Sequence, residues 1–284
     1  MQRRKKASID MERLLHTLES TGTPHGITTL LQYVYGCPRR AWLDKQYPEE
    51  DSVGRLTGTI GHAYMEHYFK GTGADEDVAI QFSQVAAEDT QAIAEHEAER
   101  CFRYYTDLYS RDEFGQILAV EEAFSLSRDN AMGLYPYTGR WDLAVRINAA
   151  TAQNLQLTRG IDIEPGVWLV DHKFLKSFGA ATADEYAHSV QFAAYATAWD
   201  ITHPNERCEG VIANIIVKSK QPQVRTVISR VDLALLNVLE EVVYRASQRG
   251  WPIDNEQEPE CNPMRCWDYF KPCPHWIQGN CKRY

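Results

Sequence analysis

Two acidic residues interrupt apolar, strand-like stretches of this sequence. Asp171 ends the apolar run 167–170 and stands two positions before Lys173 in WLVDHKFLKS, and Asp142 stands within a second such stretch, TGRWDLAV. A buried carboxylate without a partner is costly, so each aspartate needs a cation nearby. If the two carboxylates meet across a sheet, they repel each other unless a hard divalent cation lies between them. The pattern therefore predicts a site for Mg²⁺ or Mn²⁺, ions that can activate a water molecule for attack on phosphorus.

The period of a β-strand determines which of these side chains point the same way. Side chains alternate along a strand, so Asp171 and Lys173 share one face while His172 takes the other. Taken alone, the first two have a simpler explanation, an ion pair where the strand leaves the core. Asp142 favours the metal site, because a second strand is interrupted by a second acid.

The first half of the sequence predicts the helices that would frame this site. Residues 26–47 are apolar and aromatic around a Gly-Cys-Pro break, which indicates two short helices that meet at Cys37. Residues 56–70 predict a helix that begins near the glycines. The acidic, alanine-rich span from about 75 to 110 predicts one long helix or two.

The period then changes to that of strands. Three strand-like runs cover residues 117–126, 136–147 and 166–174, and the polar stretch 148–166 between the last two predicts a loop or a hairpin extension. The apolar face of the middle strand is expected to consist of Trp141, Leu143, Val145 and Ile147.

The rest of the chain predicts two more helices, at about 184–202 and 230–249, and a strand at 211–219 between them. In the first of these helices Gln191 and Tyr195 are spaced i, i+4, and His188 lies one turn earlier. Residues at this spacing share a helix face. Polar groups there could orient the strand lysine or a phosphate, although a hydrogen-bonded helix edge explains the same pattern.

Composition limits the classes of protein to which the chain can belong. A mean hydropathy of −0.46 is typical of a soluble protein. The stretch MQRRKKASIDMERLL is basic but is not followed by the apolar segment of a secretory signal, and we therefore expect a cytoplasmic protein. The net charge of −9 argues against non-specific coating of nucleic acid, whose affinity comes largely from neutralised phosphates. It allows a nucleic-acid enzyme with an acidic metal site.

The seven cysteines are unevenly distributed. An odd number in a protein expected in the cytoplasm argues against a disulfide framework. Four of them lie beyond residue 260 with the spacing C-x4-C-x6-C-x7-C. Thiolates at this density bind Zn²⁺ or an iron–sulfur cluster. The tail therefore predicts a metal centre.

Taken in order, these motifs resemble the PD-(D/E)xK nuclease superfamily, in particular its RecB-type branch with phage exonucleases and CRISPR-associated adaptation nucleases. The stretch GTIGHAYMEHYF is similar to the branch's N-terminal helix with its histidine. TGRWD, VDHK and QFAAY are similar to its G-x-x-D, D-x-K and Q-x-x-x-Y motifs. The order and spacing of the motifs carry the resemblance, since each motif alone is weak.

The resemblance covers residues 26–284 and leaves a basic N-terminal segment, 1–25, outside. It implies an α/β, restriction-endonuclease-like fold with a mixed β-sheet flanked by helices and a helical N-terminal portion. The catalytic core would span residues 112–250. Residues 251–284, together with Cys37, would form a cysteine-rich C-terminal clasp that holds a metal cluster.

The same resemblance implies how the site residues act. His62, Asp142 and Asp171 would hold the divalent ion, with the backbone carbonyl of His172 as a further ligand. Lys173 would position or deprotonate the attacking water and offset the negative charge that develops on the phosphate.

Other side chains would support this group. Gln191 and Tyr195 would assist the lysine and the DNA backbone. Glu122 matches an acid often found near such sites, but Glu121 is adjacent and the register of the strand leaves the choice open.

The branch often carries a 4Fe–4S cluster, which implies one early and three late cysteine ligands in this chain: Cys37, Cys266, Cys273 and Cys281. Cys261 would then be the spare, although the choice between Cys261 and Cys266 stays open. Tetrahedral zinc is the alternative, with Cys261, Cys266, Cys273 and either Cys281 or His275. The expected role is structural, since the centre would tie both ends of the chain together.

The expected function is that of a metal-dependent DNA nuclease, by resemblance an exonuclease. The implied partners are single-stranded or duplex DNA ends, and other proteins in a recombination or CRISPR adaptation complex. The rival is a non-catalytic DNA-binding or assembly subunit that keeps the fold and the cluster. The retained Asp142, Asp171 and Lys173 argue against it, because an inactive site has no physical reason to keep buried charges.

Overall fold

The computed structural model describes residues 25–46, 52–72, 88–126, 137–248, 267–268, 271–277 and 281. The chain divides into two compact units. The first, here called the sheet unit, comprises Glu50–Phe124 and Arg140–Val231. The second, here called the end unit, comprises Met1–Glu49, Ser125–Gly139 and Asp232–Tyr284.

The elements are numbered along the chain, within the ranges just given. They are β1 (His25–Gly26), α1 (Ile27–Tyr35), α2 (Pro38–Gln46), α3 (Val53–Lys70), α4 (Glu88–Leu108), β2 (Gln116–Leu126), β3 (Tyr137–Ile147), α5 (Ala149–Arg159), β4 (Gly166–Leu175), α6 (Ala180–Ala187), α7 (Val190–Thr202), β5 (Cys208–Val217), β6 (Gln223–Ser229), α8 (Leu233–Gln248), β7 (Trp267–Asp268), β8 (Lys271–Pro272) and α9 (Pro274–Ile277).

The sheet unit is built on five strands in the order β2-β3-β4-β5-β6. β3 and β4 are antiparallel, β4 and β5 are parallel, and β5 and β6 are antiparallel. The predicted α/β fold with a mixed sheet and flanking helices is therefore confirmed. The strand predictions for β2, β3, β4 and β5 are also confirmed, whereas β6 was not predicted.

β4 is the central strand and is buried on both faces, as its continuous apolar sequence indicates. On one face the sheet packs against α3 and α4. This core includes Met65, Phe69, Cys101, Tyr105, Val145, Trp168, Val170, Ile212 and Ile216. On the other side α7 packs against β5 and buries Phe192 and Trp199.

The predicted apolar face of β3 is wrong at its first residue. Trp141 stacks on Phe124, with 4.6 Å between ring centroids, and its indole N–H donates to the carbonyl of Tyr195 on α7 at 3.2 Å. The three later apolar residues of β3 instead join the core against α3 and α4. The ladder between β3 and β4 ends at the pair Leu143–Val170, so the alternation that a ladder enforces does not extend to Trp141. Beyond this pair the backbone ladder between the two strands does not continue.

The predicted loop at 148–166 is also wrong, because its first half is α5. The side chain of Asn148 accepts a hydrogen bond from the Thr151 N–H at 2.9 Å, and Gly160 ends the helix in the left-handed region at φ 68°. Only Ala152 and Leu155 of this helix are buried. So narrow an apolar face leaves little helical period to detect.

The predicted helix at about 184–202 is two helices, α6 and α7. Ser189 begins α7 by accepting a hydrogen bond from the Phe192 N–H at 3.4 Å. His188 lies at the break, is exposed and pairs with Asp184 at 3.4 Å. It therefore does not share the helix face of Gln191, as its sequence spacing had predicted.

The two short helices predicted around Cys37 are confirmed as α1 and α2. The helix predicted at 56–70 is confirmed as α3, which begins after Ser52 and ends at Gly71, in the left-handed region. The helix predicted at about 75–110 is confirmed for α4, and residues 73–87 lie outside the described part of the chain.

A glycine brings α3 against the central strand. A methyl group at Gly61 would overlap the ring of Phe174 on β4, whereas one at Gly58, a turn earlier, would meet nothing within 4 Å. We expect Gly61→Ala to lower the free energy of unfolding by about 1–3 kcal/mol through this overlap. Gly58→Ala should raise it by up to about 1 kcal/mol, because alanine favours a helix. Urea unfolding of both variants measures the contrast, and equal shifts would contradict this packing.

Candidate active site

Three potential metal ligands lie together next to the end of the β3–β4 ladder. His62 of α3, Glu121 of β2 and Asp142 of β3 place one ligand atom each within 4.8 Å of the others. The Nδ1 atom of His62 lies 3.3 Å from Asp142 Oδ2 and 3.7 Å from Glu121 Oε1. One imidazole and two carboxylates of this kind suit a divalent cation such as Mg²⁺ or Mn²⁺.

Asp142 is held in place by the neighbouring strand. The backbone N–H of His172 donates to Asp142 Oδ2 at 2.7 Å. The β3–β4 ladder ends at the next residue, Leu143, and at Asp142 this side-chain bond takes the place of a ladder bond and restricts where the carboxylate lies. Because a backbone donor is part of a packed strand, the contact restricts Asp142 more than a flexible side chain would.

Of the two neighbouring acids Glu121 and Glu122, Glu121 is the one that faces the site. Its side chain is 7% exposed, whereas Glu122 is exposed to solvent. The backbone of Glu121 has a positive φ of 48°. Among the residues that the structure describes, no other non-glycine residue has a positive φ. Such a conformation costs roughly 1–2 kcal/mol, and strain of this kind is concentrated at functional sites. The choice that the sequence left open is therefore made in favour of Glu121.

Asp171 and Lys173 form a buried ion pair beside this group. Lys173 Nζ lies 2.7 Å and 2.9 Å from the two carboxylate oxygens of Asp171. Burial raises the pKa of Asp171, which the charge of Lys173 opposes. Burial lowers the pKa of Lys173, but the carboxylates of Asp171 and Asp142 outweigh it and raise that pKa above its usual range. The lysine is therefore charged at neutral pH.

His62 carries a proton when no metal is bound. Burial lowers the pKa of its imidazole, but the charge of Asp142 and the contact with Glu121 outweigh burial and raise the pKa to about 9. The protonated ring offsets part of the negative charge that the three site carboxylates bring together.

Gln191 and Tyr195 line the α7 side of the site. The side-chain amide of Gln191 donates to the Tyr195 hydroxyl at 3.0 Å. Burial and the negative charge of Asp171 raise the pKa of Tyr195 to about 12, so the hydroxyl stays protonated. It can therefore donate a hydrogen bond near Asp171 and Lys173.

The structure thus brings His62, Asp142, Asp171, Lys173 and Tyr195 into one neighbourhood of the sheet unit. The ring of His172 is buried on the opposite face of β4, as the alternation predicted. The sequence matched Glu122 to the family's acid but left Glu121 open, because the left-handed backbone of Glu121 gives no signal in the sequence.

Three of the cysteines that the sequence predicts as cluster ligands are described in the end unit. Cys37, Cys273 and Cys281 are all buried. His275 is completely buried, and its Nε2 atom lies 2.7 Å from Asp44 Oδ1 on α2, which joins the tail to the helix that follows Cys37. The predicted ligand Cys266 and the alternative Cys261 lie outside the described residues.

No helix in the described ranges is long and apolar enough to cross a membrane.

Comparisons with known proteins bear on the fold and on the family. A crystal structure of a candidate exonuclease from Eubacterium rectale matches with a TM-score of 0.50 and 15% identity, over 91% of this chain and 89% of that one. At this identity the match shows the fold alone. The structure of SSO0001 matches with a TM-score of 0.32 and 15% identity, over 82% of this chain and 88% of that one, which is too distant to carry an argument. No curated protein matches the sequence significantly.

The family is shown by a different comparison. The sequence profile of the PD-(D/E)XK nuclease superfamily matches residues 28–274, which is most of the chain. The matched range contains every residue of the active-site group from His62 to Tyr195. The chain therefore belongs to the PD-(D/E)XK nuclease superfamily.

Proposed function

We propose that this protein is a metal-dependent DNA nuclease that acts as an exonuclease on DNA ends. The observation that carries the proposal is the position of the His62, Glu121 and Asp142 group beside the buried pair of Asp171 and Lys173. A metal site next to a charged lysine suits hydrolysis of a phosphodiester, because both can stabilise negative charge on the phosphate. The fold that it shares with a candidate exonuclease supports the choice of mode.

The residues fit a divalent ion, because their ligand atoms already lie within 4.8 Å of one another. His62, Glu121 and Asp142 would hold the ion, with Asp171 and the carbonyl of His172 as further ligands. A bound ion would polarise the scissile phosphate and lower the pKa of a water molecule.

Lys173 would supply positive charge at the reacting phosphate. Its pairing with Asp171 keeps it charged, so it can orient the attacking water and stabilise the negative charge of the transition state. The Tyr195 hydroxyl, held by Gln191, would donate to the lysine's carboxylate partner or to the DNA backbone.

The direct test is digestion of end-labelled single-stranded and duplex DNA with Mn²⁺, Mg²⁺ or a chelator. We expect metal-dependent release of nucleotides from ends and no cleavage of covalently closed circles. Cleavage of circles would overturn the exonuclease mode. Binding without any hydrolysis, in the wild-type protein, would favour the non-catalytic subunit instead.

Metal affinity should increase with pH below about pH 9. A metal replaces the proton on His62, whose pKa is raised to about 9, so affinity should rise about tenfold per pH unit below that value and then level off. The contribution of this proton to the stability of the metal-free protein has the opposite sign. It is present below the unfolded pKa of 6.5 and is lost as the pH rises through about 9.

Calorimetric titration of Mn²⁺ in buffers of different ionisation enthalpy measures this effect. We expect release of about one proton per ion at neutral pH. His62→Gln is the matched control, since it cannot be protonated and should flatten the pH dependence. A wild-type affinity that is independent of pH would contradict the assignment of His62.

We also propose that the end unit holds a structural 4Fe–4S cluster on Cys37, Cys266, Cys273 and Cys281. The three described cysteines are buried, and a bound metal would supply the positive charge that a thiolate needs in such a place. The contact between His275 and the helix after Cys37 supports a centre that joins both ends of the chain.

Zinc is the alternative occupant, and one observation suits it. The Nδ1 atom of buried His275 has no hydrogen-bond partner in the described part of the chain. Its Nε2 atom contacts Asp44, an arrangement that commonly orients metal-bound histidines. The next experiment distinguishes an iron–sulfur cluster from zinc.

Anaerobically purified protein should be brown and should contain iron and sulfide. Cys37→Ser should remove the colour, and the melting temperature should fall by several degrees, because the metal contributes to folding. His275→Gln is the discriminating variant, since it should keep the iron. Colourless protein with one zinc per chain, lost in His275→Gln, would favour zinc.

A further inference from the structure

A row of polar side chains crosses the apolar core of the sheet unit. His172 of β4 pairs in register with Asn214 of β5, which pairs in register with Thr226 of β6. His172, Asn214 and the Tyr105 ring of α4 are essentially inaccessible to solvent. Buried polar groups are retained only when they are hydrogen-bonded or have a function.

These groups form a continuous chain of hydrogen bonds. The Tyr105 hydroxyl lies 3.3 Å from His172 Nε2 and 3.3 Å from Asn214 Nδ2. The carbonyl of the Asn214 side chain lies 3.2 Å from the Thr226 hydroxyl. The partly exposed threonine is therefore linked to the histidine through the middle of the core.

The other end of this chain reaches the candidate active site. His172 Nδ1 has no hydrogen-bond partner among the residues that the structure describes, and it lies 3.9 Å from Asp142 Oδ2. The same carboxylate oxygen accepts the backbone N–H of His172. The ring and the backbone N–H of His172 therefore both face the carboxylate of Asp142, which is one of the proposed metal ligands.

The charge of Asp142 determines the direction of every bond in the chain. A lone pair on Nδ1 that faced a carboxylate would be repelled, so the proton of the neutral ring lies on Nδ1. Nε2 is then an acceptor, so the Tyr105 hydroxyl donates to it and in turn accepts from the amide of Asn214. The Asn214 carbonyl then accepts from Thr226. The ring is buried, and a charge in the core is costly, which favours the neutral form of the imidazole.

We propose that the His172 ring is a positioning group for Asp142, held in its Nδ1–H tautomer by Tyr105, Asn214 and Thr226. The ring N–H faces Oδ2, the same oxygen that lies 3.3 Å from His62 Nδ1, and so restricts the edge of the carboxylate that faces the proposed metal ligands. This role rests on the proposed nuclease function, but it makes its own prediction about the ring. Within the D-x-K motif, the imidazole of His172 would then contribute to metal binding as well as the backbone of His172.

Three substitutions separate positioning from packing. Tyr105→Phe keeps the ring but removes the donor to Nε2. His172→Asn places an amide where Nδ1 lies and needs no help from Tyr105, whereas His172→Gln places its amide where Nε2 lies. We expect Tyr105→Phe and His172→Gln to weaken Mn²⁺ binding by about 10- to 100-fold. His172→Asn should keep most of the wild-type affinity.

The measurements are Mn²⁺ affinity by calorimetry, the His172 tautomer by ¹⁵N nuclear magnetic resonance of the metal-free protein, and the melting temperature. Adding Tyr105→Phe to His172→Asn should cost no further Mn²⁺ affinity, since the donor is then no longer required. An Nε2–H tautomer in the wild type, or Asn and Gln variants weakened equally, would overturn the proposal. If these results hold but no DNA is hydrolysed, the nuclease function fails and the positioning role stands.

Discussion

Asp142→Asn is expected to lower the rate of DNA hydrolysis by roughly 10³-fold, the scale on which loss of one key electrostatic group acts. Asp142 contacts His62 at 3.3 Å and belongs to the only group of three potential metal ligands in the described ranges. Asparagine has the same shape and can still accept the bond from His172, so the fold should be retained. The loss would then reflect the missing negative charge.

The test measures hydrolysis under saturating Mn²⁺, the affinity for Mn²⁺ and the pKa of His62. Asp142 is the largest influence that raises this pKa, so the pKa should fall in the variant. Glu122→Gln is the matched control, because it removes one exposed carboxylate next to the site and should leave the rate unchanged. Equal losses in Asp142→Asn and Glu122→Gln would mean that the assignment of the centre is wrong.

Lys173→Met should abolish activity and also destabilise the protein, by about 3 kcal/mol. The substitution leaves the buried carboxylate of Asp171 without its partner at 2.7 Å. Burial already raises the pKa of Asp171, and loss of the lysine removes the group that opposes this. The destabilisation should therefore be larger at alkaline pH, where Asp171 is ionised, than in mild acid, where it is protonated.

A double variant separates the two effects. Asp171→Asn combined with Lys173→Met removes both charges, so most of the lost stability should return while the protein stays inactive. Chemical unfolding and the digestion assay measure the two properties on the same samples. Recovery of activity together with stability would falsify a direct role for the lysine, since its effect would then be structural.

Much of the fold could be predicted because apolar runs and alternation are local signals. β3 alternates between apolar and polar residues over part of its length, β4 and β5 contain continuous apolar stretches, and the sheet that they form is mixed, as expected. The failures occur where the local signal is weak. α5 buries only Ala152 and Leu155, and the break before α7 depends on a cap at Ser189 rather than on a change in hydrophobicity.

One part of the candidate site could likewise be predicted from the sequence, and another part could not. The acid and base in VDHK could be assigned to one face of β4 because side chains alternate within a strand. The choice of Glu121 over Glu122 could not, since it depends on one left-handed residue within β2. The partners of the His172 ring could not be predicted either. Tyr105 is distant in the sequence and contacts the ring only because the helix packs on the sheet.

The amino-acid sequence was sufficient for the family, for the mixed sheet and for the positions of the acids and the lysine within their strands. The tertiary structure was needed to show where the β3–β4 ladder ends, which is at Leu143 and Val170. That end frees Asp142 to approach His62 and the backbone of His172. Periodicity assigns a side chain to a face of its own element, but which distant groups meet there depends on how the elements pack.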